Sequence, residues 1–344
     1  MNVQCCTRGR APTVAAALLC VALAPLQALA WGSTGHRFTG ELAVRDLPAT
    51  LPEFVRNESA ALEVGEVARE PDRSRGSGDP HDRDLDPGHF VDVSDDLKIL
   101  EGPTLSALPA TREDYDRALR AIGSDEYKAG YLPYSIMDGW QQVVKDFAYW
   151  RADVAGEKFA KTDVARAWFH RDRETREALT LRDIGYWAHF VGDASQPMHA
   201  SVHYDGWGDF PNPEGFSTTK GIHIHFEGPF VREHVSEADV QALVAPYQPY
   251  TGTIQSRVSA YLAATQAEVV PLYRLEKAHA FEGDDAKGKA FAAERLAAAV
   301  DQLRNMIADA WVASEDAKLG YPAIAVKDIE SGKADALGPL QGLD

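Results

Sequence analysis

Apolar residues in this chain recur every three or four positions over long stretches, and strict alternation is nearly absent. Ile136, Trp140, Val143, Phe147 and Trp150 fall on one helix face, as do Leu296, Val300, Leu303, Ile307 and Trp311. Segments 36–47, 111–129, 162–178, 181–195 and 253–276 also read as helix. Such a pattern commits the chain to packing helix against helix, so an all-α fold is predicted, a single mainly helical domain. Two stretches interrupt the helical text: residues 70–96, rich in Asp, Pro and Gly, and residues 200–222, rich in Gly, Pro, Asn and Thr. Both read as long loops, and loops of that length inside a compact domain usually serve function. No internal repeat and no linker divides the chain.

Residues 1–30 stand outside that argument. Arg8 and Arg10 precede a short apolar run that closes on Ala28-Leu29-Ala30, the pattern of a secretory signal peptide. The run is short for a bilayer span. Cleavage after Ala30 is expected, leaving Trp31 as the new N-terminus of a secreted or periplasmic protein. The domain is assigned to residues 31–320, and the Gly/Ala-rich tail 321–344 is expected to pack loosely. All three cysteines, Cys5, Cys6 and Cys20, leave with the leader, so no disulfide is predicted. Formal charge over the 344 residues is −17, and loss of two arginines makes it more negative. No basic run is present, which argues against sequence-independent capture of nucleic acid by a cationic surface.

The histidines sit beside acids at ligand spacing. His189 and Asp193 are four apart in a helical segment and therefore share a face. His199 follows six residues on, beyond Pro197, and His223 and Glu227 form a second pair four apart. His89 lies in GHFVDV after the acidic loop, and His36 lies five residues past Trp31. One such pair is weak evidence, but the ordered set offers imidazole and carboxylate without cysteine, the donor set of hydrolytic zinc.

The motifs WGSTGH, EPDRSR, GHFVDV, HFVGDASQPMH and HIHFEG, taken in order, resemble those of the zinc-dependent phospholipase C and P1-type nuclease superfamily. The resemblance implies a mainly helical fold with three zinc ions in a cleft. One zinc would take His89, His189 and Asp193, with Asp72 as ligand or as the catalytic base beside it. A second would take His199, His223 and Glu227. A third would take His36 and the α-amino group and carbonyl of Trp31, with Asp193 bridging. Removal of the leader would then free the Trp31 nitrogen to act as a ligand. His223 is preferred over His225 because its partner four residues on is Glu227. The resemblance implies Asp72 over Asp79, Asp82, Asp84 and Asp86, because Pro71-Asp72 precedes the histidine motif at roughly the family's distance.

Three cations suit a phosphodiester, whose anionic oxygens repel a nucleophile. Within the superfamily, the absence of Gly-Gly-Asn after the third motif and the closing acid Glu227 favour a phospholipase C over a single-strand nuclease. The short Trp31–His36 spacing favours the nuclease. The expected activity is therefore cleavage of the glycerol-phosphate ester of phospholipids, with single-stranded nucleic acid as the alternative substrate. Tyr204, Trp207, Phe210 and Phe216 are candidates to meet acyl chains, to stack on bases or to pin their own loop. Transient contact with a membrane surface is expected, and no obligate protein partner is inferred.

Overall fold

The computed structural model describes residues 31–342, so the proposed leader lies outside the described residues. Six helices of ten residues or more carry the site and its support: α1 (Gly32–Arg45), α2 (Glu58–Val67), α3 (Leu132–Phe159), α4 (Asp163–Asp193), α5 (Ile254–Gln266) and α6 (Ala286–Ala313). Among the described residues the only strands are Lys318–Leu319 and Ile324–Ala325, paired antiparallel. The fold is all-α, as the periodicity requires.

Helices start where the chain supplies caps. The side chains of Thr162 and Thr253 accept bonds from Ala165 and Ser256, and Asp285 accepts from Lys287 and Gly288. The two segments expected over 162–178 and 181–195 are one continuous helix, α4. Nothing between them breaks it, and Thr180 returns its hydroxyl to the Arg176 carbonyl. The helix expected over 253–276 is two, α5 and Val269–Lys277. An unbroken helix would drive the ring of Pro271 into the Ala267 carbonyl, so the chain restarts at Val269. Residues 111–129 likewise divide into Arg112–Ala121 and Glu126–Ala129, with Gly123 between them at φ 79°.

The long pair α3 and α4 forms the spine, and glycine permits its close approach at both ends. A Cβ on Gly139 would stand 2.2 Å from Trp187, and one on Gly156 would stand 2.4 Å from Phe169. Trp187 also donates its indole N–H to the Ile136 carbonyl. α1 packs against α2, with Gly40 meeting Gly65, and against α4 and α6. Leu42, Val64, Ile184, Ala188, Val191, Leu303 and Ile307 are fully buried there. Each of the larger side chains, Leu, Val and Ile, contributes roughly 1.5–3 kcal/mol by burial, and together they fix where the end of α4 sits.

Two expectations about irregular segments change. Residues 70–96 include the short helices Glu70–Ser74 and His81–Leu85 and the 3-10 turn Asp86–His89. The tail expected to be loose instead builds a second small core. Val326, Ile329 and Ala336, with Leu319 just ahead of the tail, are buried against Ala148, Ala152 and Phe169. The glycine and alanine content of the tail masked these few apolar anchors. No described helix is long and apolar enough to cross a membrane.

Candidate metal centre

The site begins at the last turns of α4, where His189 and Asp193 are fully buried on one face. The chain then leaves the helix through Ala194 and Ser195 into the 3-10 turn Pro197–His199. Within seven residues it has therefore delivered Asp193 and His199 to the same cavity. Short structures supply the rest: Glu70–Ser74 carries Asp72, the turn Asp86–His89 carries His89, and Ile222–His225 with its wide following turn carries His223 and Glu227.

Three donor groups result: His36 with His189 and Asp193; Asp72 with His89 and His189; His199 with His223 and Glu227. Asp193 turns two oxygens in two directions. Its Oδ2 lies 3.2 Å from His89 Nδ1 and 3.3 Å from His189 Nε2, while its Oδ1 lies 3.6 Å from His36 Nε2. Asp72 is placed similarly but farther back. Its Oδ1 is 4.0 Å from His89 Nδ1 and 3.9 Å from His189 Nε2, and its Oδ2 is 3.8 Å from His36 Nε2. In the other group, Glu227 Oε2 is 2.8 Å from His223 Nε2 and 3.5 Å from His199 Nε2.

Backbone carbonyls orient the rings. His189 directs Nδ1 at the Ala68 carbonyl at 2.8 Å, and His199 directs Nδ1 at the His89 carbonyl at 2.6 Å. Each ring must donate there, which leaves an Nε2 lone pair turned into the site. Asp193 Oδ1 and Glu227 Oε1 are buried without a hydrogen bond. Buried carboxylate oxygens rarely go unsatisfied, and here they share the space with inward lone pairs. That donor set fits zinc.

Electrostatics agree with that fit. Burial lowers His89 and His189 well below the ordinary imidazole range and raises Asp193 well above the carboxylate range, with Asp72 adding repulsion. Burial pushes Asp72 up to about 7. Burial also pushes the Glu227 carboxyl up, but the adjacent His223 and His199 rings outweigh it and hold it at about 2. A cluster so short of cations is where a bound metal changes the balance most.

The structure separates the alternatives that spacing left open. His225 turns away and donates to the Phe281 carbonyl at 2.8 Å, whereas His223 faces Glu227. Asp82 is occupied with the amides of Ser77 and Gly78, and Asp86 faces Arg75. Asp72 alone among the five acids joins a donor group. Trp31 is fully buried, and its indole N–H reaches both the Gly192 carbonyl and the Ser195 hydroxyl at 2.8 Å. The side chain thereby ties residue 31 to the turn that bears Asp193.

Three of the four loop aromatics turn out differently from a substrate wall. Trp207 and Phe216 are buried inside their own loop, Trp207 stacked on His203 at 3.8 Å and donating to the Pro211 carbonyl. Phe210 is half exposed and meets His203 edge-on. Only Tyr204 lines the cavity. Trp207→Ala is accordingly expected to lower stability by about 3 kcal/mol, read by denaturant melts, with zinc content unchanged.

Sequence reasoning missed several residues around the donors. A cavity of about 270 Å³ opens on His89, His199 and His223, lined also by Arg75, Phe90, Asp92, Lys128, Met198 and Tyr204. Burial raises Asp92 to about 8. Its signal was present, since Phe90 and Asp92 flank Val91 within the GHFVDV motif, and Arg75 follows Asp72 by three.

No family model matches the sequence, and no curated protein matches it. Among solved structures, the chain is similar to the alpha-toxin of Clostridium perfringens from avian strain SWCP. Identity is 12%, the TM-score is 0.36, and the match covers 86% of this chain and 68% of that one. A likeness that distant leaves function to the site's own geometry.

Proposed function

We propose that this chain is a zinc-dependent phosphodiester hydrolase of phospholipase C type. The observation that carries the reading is the convergence of His36, Asp72, His89, His189, Asp193, His199, His223 and Glu227 as three neighbouring donor groups, with Arg75 and Lys128 lining the cavity that opens on His89, His199 and His223. When bound, zinc would supply Lewis-acid charge and an ionised water. His89, His189 and Asp193, with Asp72, would hold one ion, and His199, His223 and Glu227 a second. His36 would hold a third with Asp193 and the freed α-amino group and carbonyl of Trp31, which requires export and leader removal. Arg75 and Lys128 draw the phosphate inward and offset its charge. Asp72, its oxygens 3.8–4.0 Å from the ring nitrogens of His36, His89 and His189, would accept a proton from the attacking water. Phe90, Met198 and Tyr204 offer apolar contact to a glycerol-linked chain, and the exposed Tyr204 and Phe210 suit brief contact with a membrane surface.

One observation favours the nuclease reading. Asp92, which burial raises to about 8, lines the cavity together with Phe90 and Tyr204, and in its neutral form it can both donate and accept. A planar nucleobase presents a complementary edge and a stacking face. The purified, zinc-loaded protein should therefore be assayed on short-chain phosphatidylcholine, single-stranded DNA and the base-free diester bis(p-nitrophenyl) phosphate. The expected result is higher kcat/KM on the lipid than on DNA, with diacylglycerol and phosphocholine as products. Efficient DNA cleavage that Asp92→Ala reduces at least tenfold more than cleavage of the base-free diester would establish the nuclease reading instead. Inactivity on all three with zinc bound would refute the hydrolase.

A further inference from the structure

The turn between Asp193 and His199 contains a buried amide whose two ends are both in use. Gln196 is fully buried. Its Oε1 accepts from the Met198 backbone N–H at 2.7 Å, and its Nε2 donates to Glu227 Oε2 at 3.1 Å. The first bond fixes the polarity of the second. A flipped amide would set NH₂ against the Met198 N–H and oxygen against the Glu227 carboxylate, two repulsions in place of two bonds. Glu227 lies 31 residues away on the wide turn Phe226–Phe230, where Pro229 removes one backbone donor. Its other close polar neighbours are the two rings of its own donor group, His199 and His223.

We propose that Gln196 is a positioning residue that couples the His199–His223–Glu227 group to the turn bearing Asp193 and His199. The proposal rests on the metal reading above. Gln196 orients one carboxylate oxygen of Glu227, and through Met198 it sets the 3-10 turn that presents His199. Two of that group's three donors thus depend on one amide. The next residue back does the corresponding work at the other end of the site. Ser195 Oγ donates to the Gly192 carbonyl and receives the Trp31 indole N–H. Ser195 therefore holds the chain's approach to His36, and Gln196 holds Glu227, from adjacent positions. Donors from distant parts of the sequence are kept in register by one short segment, which is what outer residues around metal ligands do elsewhere.

The test is zinc affinity, measured by competition with a chromophoric chelator, on the wild type, Gln196→Glu and Gln196→Ala. Gln196→Glu keeps an acceptor for the Met198 N–H but sets oxygen against the Glu227 carboxylate; Gln196→Ala removes both contacts. Each variant is expected to weaken one zinc by roughly 10–100-fold and to leave the others unchanged. In a Glu227→Gln background, which already loses that zinc, Gln196→Glu should cost no further zinc, because the contact it disturbs has already been altered. Melting of the chelated proteins separates positioning from bulk stability. If all zinc ions weaken together in step with a lower metal-free Tm, Gln196 is structural and the proposal fails. Unchanged or tighter zinc in Gln196→Glu also overturns it. A wild type that binds no zinc overturns the metal reading itself, and this proposal with it.

Discussion

Stripping zinc with a chelator is expected to abolish phosphodiester hydrolysis and to lower the melting midpoint by about 10 °C or more. The reason is the composition of the site. Two buried carboxylates, Asp193 and Glu227, and the partly buried Asp72 converge with five histidines, and their burial is costly without a cation. The size of the effect should depend on pH, and its sign follows from the shifts. Asp72 and Asp193 have folded pKa values raised above those of the unfolded chain, Asp72 to about 7. A raised carboxyl favours folding fully in acid, and that contribution is lost as pH rises through the folded value. His89 and His189 are depressed, so their contribution is lost only as pH falls below the ordinary imidazole range. Between about pH 7 and 8 His89 and His189 are largely neutral in both states. His223, which burial lowers but Glu227 holds above the ordinary imidazole range, loses its contribution as pH rises, with the same sign as the carboxyls. The metal-free protein should lose stability across that window, while zinc, which binds deprotonated ligands, should stabilise more. Melts with and without zinc at both ends of the window measure this. A gap between the two forms that narrows towards pH 8 would contradict the assignment.

The second large effect is expected at Asp193. Asp193→Asn should cost two zinc ions and on the order of a thousandfold in kcat/KM, several kcal/mol of transition-state stabilisation. Its two oxygens face different donor groups, Oδ2 towards His89 and His189, Oδ1 towards His36. An amide keeps the shape but loses the charge that balances both cations. Glu227→Gln, confined to one group, should cost one zinc. Asp72 also faces both groups but stands 3.8–4.0 Å from the ring nitrogens. Asp72→Asn should therefore lose less metal than Asp193→Asn, and a deeper loss of turnover than of zinc would mark it as the proton acceptor. Metal analysis of the three variants, reconstituted in parallel, gives the ranking. Equal loss of metal from all three would remove the bridging role from Asp193.

Much of this was legible in the chain. Periodicity fixes which faces are apolar, and a spacing of four places His189 with Asp193 on one helical face before any tertiary contact is known. Ligand chemistry is also local, because histidine and carboxylate are recognisable residue by residue. Where the reading failed, the reason was a competing long-range or cumulative effect. Trp207 and Phe216 read as candidate wall residues because an aromatic in a loop has no periodicity to show which way it faces. The tail read as loose because Val326, Ile329 and Ala336 are too sparse to form a pattern until α3 and α4 offer them a surface. Pro271 was visible, yet the break it imposes falls four residues earlier, at a carbonyl the pattern does not mark.

The sequence by itself determined the helical class, the approximate helix positions and the pool of donors, because each depends on interactions within a few residues. Only the tertiary structure decided which donors meet. His36 and Asp193 are 157 residues apart and His89 and His189 are 100 apart, and no local rule encodes those distances. Close packing of α1, α3, α4 and α6 around glycines sets them. Tertiary structure also decided between His223 and His225, because only the folded chain places the Phe281 carbonyl where it takes one imidazole out of the site. It decided the surroundings too. Arg75, Asp92, Lys128 and Tyr204 are ordinary polar residues until the fold turns them onto one cavity, and charge and burial there are properties of a place, not of a residue type.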